Sequence, residues 1–325
     1  MYIHPMLWQD KRWLRKATLP TPYPIGDIYA YLVRDDPVTV IDAGVRLPEV
    51  EEAWKHFLKE NGLTFRDIKR IVITHGHSDH YGYARRLAEL SGAKVYLHPA
   101  DFEKVKDRRG YYERMLPFIA RYGIPGDYME VFVKVLVWER PFCEDLTEDM
   151  LVPLEGGSTL EFEHTSFEVI HTPGHSLGHV ILKRGKWALT GDFIFSNLTP
   201  IPTADFDEKG NRIRTMPMHI KSIERVLGIG LETFLPAHRE EQGSFPKAVE
   251  ELKKRMRKKE ELIAEFLKRR GKATPYEVIC HLYPEHSKKN MYVLISEILG
   301  RLDVMEQKGI VGCELAEDTF YYFLL

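Results

Sequence analysis

The stretch "RIVITHGHSDHYG", residues 70–82, decides the fold, because a short β-branched run ends there in a turn crowded with histidine and aspartate. The run at 71–74 is typical of a buried strand, and the apolar spacing over 82–90 predicts a helix. Imidazole and carboxylate groups are ligands that zinc accepts from proteins. Four of them within six positions are costly to hold together unless a cation neutralises them. The stretch therefore predicts a metal site at the end of a strand, with the candidate ligands His75, His77, Asp79 and His80. Within this turn, we expect Gly76 to allow a backbone bend that other residues resist.

Strands and helices alternate along the first hundred residues, which favours a layered α/β fold. Predicted strands cover 28–33, 38–41, 71–74 and 94–97, and predicted helices cover 47–61 and 82–90. Residues 100–150 interrupt this rhythm with amphipathic, aromatic-rich stretches, and they predict a mostly helical insertion. The strand pattern resumes at 158–162, 167–171, 180–183 and 186–190.

Two segments of the chain resemble each other. "IVITHGHSDH" at 71–80 and "FEVIHTPGHSLGH" at 167–179 both run from a β-like stretch into a histidine-rich turn. Two similar halves, each presenting polar ligands from loops at strand ends, would form one site at their junction.

The composition changes after residue 245. A long helical pattern at 247–270 is followed by a turn, the helix cap Thr274, a short helix and a second amphipathic helix at 289–302. "KGIVGCE" and "TFYYFLL" then predict the two strands of a hairpin. This order indicates a winged helix, so we expect one domain over 1–245, containing the insertion, and a second over 246–325.

Bulk composition excludes several classes of protein. The chain has 325 residues, 44% hydrophobic and 29% charged, which is enough to build a core and does not indicate disorder. The net charge of -2 calls for no nucleic acid, membrane or acidic partner. The three cysteines form no CxxC pair, so a disulfide framework or a thiolate zinc site is not expected. The sequence offers neither an export segment nor about 20 consecutive apolar residues, so we expect a cytoplasmic protein with no membrane partner.

The motif HxHxDH at 75–80 is the signature of the metallo-β-lactamase superfamily, which the chain resembles over residues 25–240. The supporting motifs follow in the order of that family: "VIDAG" with Asp42, "HTPGHS" with His175, "LTGDFIF" with Asp192 and "FLPAHRE" with His238. The resemblance implies a four-layer αββα sandwich. It also implies that Asp42 braces the site from behind the ligands.

Carried over residue by residue, the resemblance implies two metal ions per chain, zinc by preference and iron or manganese as alternatives. One ion would be held by His75, His77 and His175, and the other by Asp79, His80 and His238. Asp192 would bridge the two ions. A hydroxide shared by two ions can attack an ester-like bond, and Asp79 is suited to a catalytic role as the group that orients it.

The resemblance leaves the substrate open. Aspartate at 192, instead of cysteine or serine, argues against an antibiotic-degrading β-lactamase, and glyoxalase II is the nearest well-known hydrolase by its site pattern. We expect a small-molecule acyl ester or thioester. The alternatives are a single-strand-directed ribonuclease, or a nucleic-acid-binding module with a vestigial metal site.

Two features of the tail are typical of proteins that bind nucleic acid. Its order of elements is similar to that of the β-lactamase-like protein 2 branch of the superfamily, which is associated with cleavage of single-stranded RNA. The stretch "KKRMRKK" at 253–259 could bind phosphates, although a charge run is more often a solvated helix face. Nucleic acid bound through 246–325 is therefore one interpretation of the tail. The alternatives are a cover over the active site or a surface for a homodimer.

Overall fold

Two six-stranded sheets form the centre of the computed structural model, which describes residues 13–325 except 208 and 286–289 and, at 136 and 139, the backbone alone. The first sheet contains, in spatial order, β1 (Leu14–Leu19), β2 (Ile28–Val33), β3 (Thr39–Ile41), β4 (Arg70–Val72), β5 (Lys94–Leu97) and β6 (Leu151–Pro153). Strands β1 to β3 are antiparallel, and β3 to β6 run parallel to one another.

The second sheet is mostly antiparallel. Its strands are β7 (Thr159–Glu161), β8 (Ser166–His171), β9 (Val180–Arg184), β10 (Trp187–Gly191), β13 (Thr233–Pro236) and β14 (Gly243–Ser244). A separate two-stranded ribbon is formed by β11 (Asp205–Phe206) and β12 (Arg212–Ile213). Strand β10 is parallel to β13 and antiparallel to β9, so the carboxyl ends of β8, β10 and β13 lie at one edge.

Apolar side chains make the two sheets pack face to face. The alternation of each strand puts one row of residues into the space between the sheets. The buried cluster there draws on both sheets, with Tyr31, Val33 and Val72 from the first and Phe167, Val169 and Leu182 from the second. Val180 N donates to Thr74 O at 2.9 Å and links the sheets directly near the strand ends.

Helices cover the outer face of each sheet. The helices over the first sheet are α1 (Pro48–Glu60), α2 (Ser78–Tyr81) and α3 (Ala84–Ser91), and those over the second are α7 (Thr215–Gly228) and α8 (Phe245–Arg270). Trp54 and Leu87 are buried against the first sheet, and Ile223 and Phe245 against the second. The predicted αββα arrangement is confirmed.

The insertion and the tail share a hydrophobic core. The insertion contains α4 (Phe102–Lys106), α5 (Arg108–Ala120) and α6 (Gly126–Glu139), and the tail contains β15 (Lys272–Ala273), α9 (Pro275–Leu282), α10 (Met291–Gln307), β16 (Val311–Ala316) and β17 (Thr319–Leu324). Met115 and Ile119 of the insertion belong to the same buried cluster as Ile295 and Leu302 of the tail. The insertion therefore packs against the tail and does not project freely from the sandwich.

The tail has the element order that the sequence predicted. Thr274 caps α9, with its hydroxyl accepting from Glu277 N at 3.2 Å and the Glu277 carboxylate accepting from Thr274 N at 2.8 Å. Strands β15, β17 and β16 form one small sheet. Helix α8 runs without a break across the predicted domain boundary at 245/246, packing first on the second sheet and then on the tail. The winged-helix assignment and the boundary stay predictions.

Several elements were not predicted from the sequence. Strands β1, β6 and β13 and helix α7 were missed, although β13 leads directly to His238. Helix α10 ends five residues beyond the predicted 302, and residue 289, where that prediction began, lies outside the described residues. Among the described residues, no helix combines the length and apolar character needed to cross a bilayer.

Helix α10 supplies a test of the shared core. Ile295 is fully buried there, whereas Val293 on the same helix is 49% exposed. We expect Ile295→Ala to lower the free energy of unfolding by about 2–5 kcal/mol, because it leaves a cavity between insertion and tail. The matched Val293→Ala should change it by about 0.5 kcal/mol or less. Urea unfolding measures both, and equal effects would contradict the packing described.

Candidate metal centre

The predicted ligands all lie at one edge of the sandwich. His75, His77, Asp79 and His80 follow β4, and His175, Asp192 and His238 follow β8, β10 and β13 respectively. The carboxyl ends of these strands meet because β10 and β13 are parallel and because the edges of the two sheets are aligned. All seven side chains predicted from the sequence are brought together.

Three histidines form the first group of ligand atoms. His75, His77 and His175 each offer a ring nitrogen, and these nitrogens all lie within 4.8 Å of one another. Their rings are packed closely, with centroid separations of 4.5 Å for His75–His77 and 4.6 Å for His77–His175. The turn after β4 and the turn after β8 thus contribute to a single cluster.

The second group contains Asp79, His80 and His238, again with ligand atoms within 4.8 Å of one another. His238 Nε2 lies 3.3 Å from Asp79 Oδ2, and His80 Nε2 lies 3.9 Å from Asp79 Oδ1. His80 and His238 are fully buried, whereas Asp79 keeps some solvent exposure. Asp79 therefore stands at the mouth of the site.

Asp192 lies between the two groups. Its Oδ1 is 3.5 Å from His80 Nε2 and 3.7 Å from His238 Nε2, and its Oδ2 is 3.7 Å from His175 Nε2. Each carboxylate oxygen therefore faces a different group. This is the arrangement that a carboxylate bridging two cations requires.

Hydrogen bonds orient the rings of the second group. Asp42 Oδ2 lies 2.8 Å from His80 Nδ1, and the carbonyl oxygen of Asp27 lies 2.8 Å from His238 Nδ1. Each acceptor fixes the proton on Nδ1, so that Nε2 carries the lone pair that a metal binds. Asp42 also accepts from Thr74 N at 2.8 Å, which ties the ligand turn to β3. The bracing role expected for Asp42 agrees with these contacts.

Burial and neighbouring charge act differently on the two groups. Burial, reinforced by neighbouring imidazoles, lowers the pKa of His75 and of His77 well below the ordinary histidine value. Neutral imidazole is the form that binds a metal. At His80, burial favours the neutral form, but Asp42, Asp192 and Asp79 outweigh it and raise the pKa. A cation bound there would take the place of the proton.

The site contains buried polar atoms that lack hydrogen bonds. Among the described residues, His80 Nε2, His175 Nε2, His238 Nε2 and Asp192 Oδ1 are such atoms. Unpaired buried groups are costly, and all four point to the space between the ligands. Divalent cations satisfy this donor set of nitrogen and carboxylate oxygen, so the residues fit the expected metal.

Gly76 has a different role from the one expected. The backbone bends at Gly76 as expected, but its φ is not in the left-handed region, so the reason for a glycine is space and not backbone conformation. A Cβ atom at this position would lie 3.2 Å from Asp101 Cβ and 3.2 Å from Val105 Cγ1. The glycine provides space for Asp101, a buried residue that the sequence analysis did not single out because its neighbours in the chain carry no ligand motif.

Two further histidines are buried behind the ligands. His179 Nδ1 lies 2.8 Å from Thr172 Oγ1, and its ring is 5.0 Å from that of His75. His219, on α7, packs against Gly174 and Phe193, and burial together with His175 and Arg301 lowers its pKa to about 3. We assign a packing role to both residues.

Aromatic side chains pack beside the turn that carries four of the candidate ligands. Tyr23 Oη lies 2.7 Å from Ser78 Oγ, and Ser78 stands between the ligands His77 and Asp79. The Tyr23 ring packs at 6.2 Å against Trp138 of α6, which is 51% exposed. An apolar surface from the insertion thus continues up to the ligand turn.

Asp42 offers a test of the second group. Asn at this position tolerates the observed φ of 61° but cannot fix the His80 proton as a carboxylate does. We expect Asp42→Asn to weaken divalent metal binding about 10–100-fold in a chelator competition assay. Asp35→Asn is the matched control, because Asp35 lies 3.0 Å from a histidine Nδ1 as well, but that histidine is the exposed His164. Equal affinity of the two variants would contradict the role of Asp42.

Comparison with known proteins agrees with this geometry. Residues 23–264 match the family model of the metallo-beta-lactamase superfamily. The chain is 26% identical over 320 residues to the probable metallo-hydrolase YqjP of Bacillus subtilis, covering 94% of this chain and 95% of that one. It is 28% identical over 154 residues to the hydroxyacylglutathione hydrolase GloC of Haemophilus influenzae, covering 46% of this chain and 62% of the relative.

A solved structure shares the fold over nearly the whole chain. It is that of the metallo-beta-lactamase family protein TTHA1429 from Thermus thermophilus, with a TM-score of 0.82 at 23% identity, covering 96% of this chain and 99% of that one. The match of the family model over most of the chain, including every candidate ligand, shows the family. The chain therefore belongs to the metallo-beta-lactamase superfamily.

Proposed function

We propose that the protein is a hydrolase that uses two divalent metal ions, zinc by preference, to cleave a small acyl ester or thioester. The family and the candidate metal-binding groups support a metallo-hydrolase. The observation that carries the proposal for two ions is the position of Asp192, whose two oxygens face two different groups of ligands. His75, His77 and His175 would hold one ion, and Asp79, His80 and His238 the other. Iron and manganese are the alternative metals for this donor set.

When bound, such a pair of ions lowers the pKa of water and polarises the oxygen of the bond to be cleaved. The protein supplies orientation and protection. Asp79 is a partly buried carboxylate that keeps some contact with solvent, so we expect it to accept a hydrogen bond from an attacking water and to orient it. Asp42 and the Asp27 carbonyl keep the imidazoles of the second group in one tautomer throughout.

The mouth of the site supports an apolar acyl substrate. The rings of Tyr23 and Trp138 pack on each other beside Ser78, the residue that precedes Asp79, and we infer that an acyl substrate would contact them. Aromatic rings bind apolar groups because apolar surface is buried in the contact. They offer no positive charge to the phosphate backbone of RNA. The similarity to GloC, itself a hydroxyacylglutathione hydrolase, supports a thioester, in which water adds its oxygen to the acyl carbon and the thiol leaves with a proton.

A single-strand-directed ribonuclease is the second candidate, and the basic stretch at 253–259 is the feature that favours it. Several of its charges already have intramolecular partners. Arg255 donates to the carbonyl oxygens of Ser196 and Leu198, Lys254 pairs with Glu250 and Glu251, and Lys259 donates to Tyr283 Oη. Lys253, Arg257 and Lys258 are exposed and would contact phosphates. The third candidate, a binding module with a vestigial site, is disfavoured by the complete ligand set.

Metal content and activity test the leading proposal together. We expect the wild type to carry two metal ions per chain by elemental analysis and to hydrolyse a thioester in a metal-dependent manner. Asp192→Ala removes the ligand shared by both groups, so we expect loss of at least one ion and a fall in kcat of about a hundredfold or more. Asp35→Ala is the control, because Asp35 also accepts hydrogen bonds from a histidine but lies outside the site.

Cleavage of unstructured single-stranded RNA, with no turnover of thioesters or esters, would contradict the leading proposal and support the ribonuclease. Protein prepared with metal present that binds none would overturn both enzyme proposals.

The aromatic mouth gives a separate prediction on specificity. We expect Trp138→Ala to raise KM for a long-chain acyl thioester about tenfold, equivalent to about 1.4 kcal/mol of lost apolar contact. KM for the acetyl thioester and kcat for both substrates should change little, because the metal ligands are untouched. Val137→Ala is the matched control, since Val137 is the preceding, 58% exposed residue of the same helix. An equal effect on short and long substrates would argue against acyl binding at this surface.

A further inference from the structure

One buried carboxylate connects the two turns that supply the first group of ligands. Asp101 ends the short turn after β5, and its side chain is fully buried. Its Oδ2 accepts from Gly76 N at 2.7 Å, and its Oδ1 accepts from Gly178 N at 2.9 Å. Gly76 separates the ligands His75 and His77, and Gly178 lies three residues after His175. A single side chain from a third loop therefore bridges the first and second sheets beneath the ligands.

The two glycines leave the space that this contact occupies. A Cβ atom at position 178 would lie 2.7 Å from Asp101 Cγ, closer than real Cβ atoms approach other atoms. At position 76 it would lie 3.2 Å from Asp101 Oδ2. Neither glycine has a φ in the left-handed region, so space for Asp101, and not backbone freedom, explains both.

A buried lysine completes the arrangement. Ser176 Oγ lies 2.7 Å from both carboxylate oxygens of Asp101 and accepts from Lys104 Nζ at 3.1 Å. Lys104 Nζ is itself 4.0 Å from Asp101 Oδ1, so the buried ammonium and carboxylate balance each other. Ser176 directly follows the ligand His175. Charge-assisted hydrogen bonds of this kind are strong and directional, so they hold both turns in one geometry.

We propose that Asp101 is a positioning residue that sets the separation of His75, His77 and His175 and thereby the affinity of that group for its metal ion. This inference rests on the metal-binding part of the proposed function. Asp42 is a brace of a different kind, because it contacts His80 of the second group directly and reaches His75 of the first group only through the Thr74 hydroxyl. Asp101 contacts the two turns that carry the all-histidine group, at Gly76, Ser176 and Gly178. We therefore expect the loss of Asp101 to act mainly on the all-histidine group.

The test measures each group by itself. His238→Ala leaves the group His75, His77 and His175 intact, and His77→Ala leaves the group Asp79, His80 and His238 intact. Asp101→Asn is introduced into each background and Zn²⁺ affinity is measured by chelator competition. Asparagine replaces one acceptor oxygen with an amide NH₂, so Gly76 N or Gly178 N loses its acceptor. We expect Zn²⁺ affinity to fall about 10–100-fold in the His238→Ala background and less than about threefold in the His77→Ala background.

Two further variants separate positioning from stability. Asp303→Asn is the matched control, because Asp303 is also a buried carboxylate that accepts from a cationic donor, Arg212, but it lies in the tail. It should leave Zn²⁺ affinity unchanged in both backgrounds. Gly178→Ala keeps the charge of Asp101 but displaces the turn after β8. We therefore expect the same loss of Zn²⁺ affinity, limited to the His238→Ala background. This variant replaces Asp101→Asn if that protein does not fold. The visible absorption spectrum of the Co²⁺-loaded protein is an independent measure of ligand geometry, because a change in that geometry shifts the absorption bands.

The outcomes are distinguishable. If wild type and both single-group backgrounds bind no Zn²⁺, the proposed function fails. If they bind Zn²⁺ and Asp101→Asn has no effect, or lowers the affinity equally in both backgrounds, the positioning role of Asp101 is overturned while the proposed function stands.

Discussion

The carboxylate of Asp192 lies between the two groups of candidate ligands, and each of its oxygens faces a different group. Burial opposes a charge there, yet the nearby His238 and His80 outweigh burial and hold the pKa of Asp192 below its ordinary value. Bound cations would satisfy this charged carboxylate together with the buried nitrogens around it, several of which have no hydrogen bond. The arrangement of strand ends, turns and braces can be understood from this requirement.

The candidate ligands come from both sheets. The fold therefore has to fix the distance between the edge of the first sheet and the edge of the second sheet from which they extend. Apolar packing between the sheets sets the distance between them. Buried hydrogen bonds then fix the positions of the turns that carry the candidate ligands. Thr74 O accepts from Val180 N, Asp42 ties the ligand turn to β3, and Asp101 ties it to the turn that carries His175.

The insertion and the tail contribute to the site indirectly. They share one buried core, so α5 and α6 are held against α10, and Ala204 N donates to Ser296 Oγ of that helix at 2.9 Å. Thr203 N in turn donates to the carbonyl oxygen of His175 at 3.4 Å. The tail is therefore connected through residues 203–204 to a ligand-bearing turn, and Trp138 of the insertion borders the mouth.

The sequence by itself determined the type of fold and the identity of the candidate ligands. Runs of β-branched and aromatic residues revealed most strands, because this composition is local to each strand, and the spacing HxHxDH placed four candidate ligands on one turn. His175, Asp192 and His238 were found by the order of motifs within a recognised family, and the structure brings all of them together. Short edge strands such as β6 and β14 were missed because pairing with a neighbour, and not local composition, makes them strands.

Only the tertiary structure decided which carboxylates act on which ligands. Asp101 is separated from Gly76 by 25 residues and from Gly178 by 77, and nothing in its local sequence indicates the contact. The same holds for the core common to insertion and tail, in which Met115 and Ile295, for example, are 180 residues apart in the chain. The physical reason is that periodicity reports which face of an element is buried, whereas the partner across that face is fixed by the packing of the whole chain.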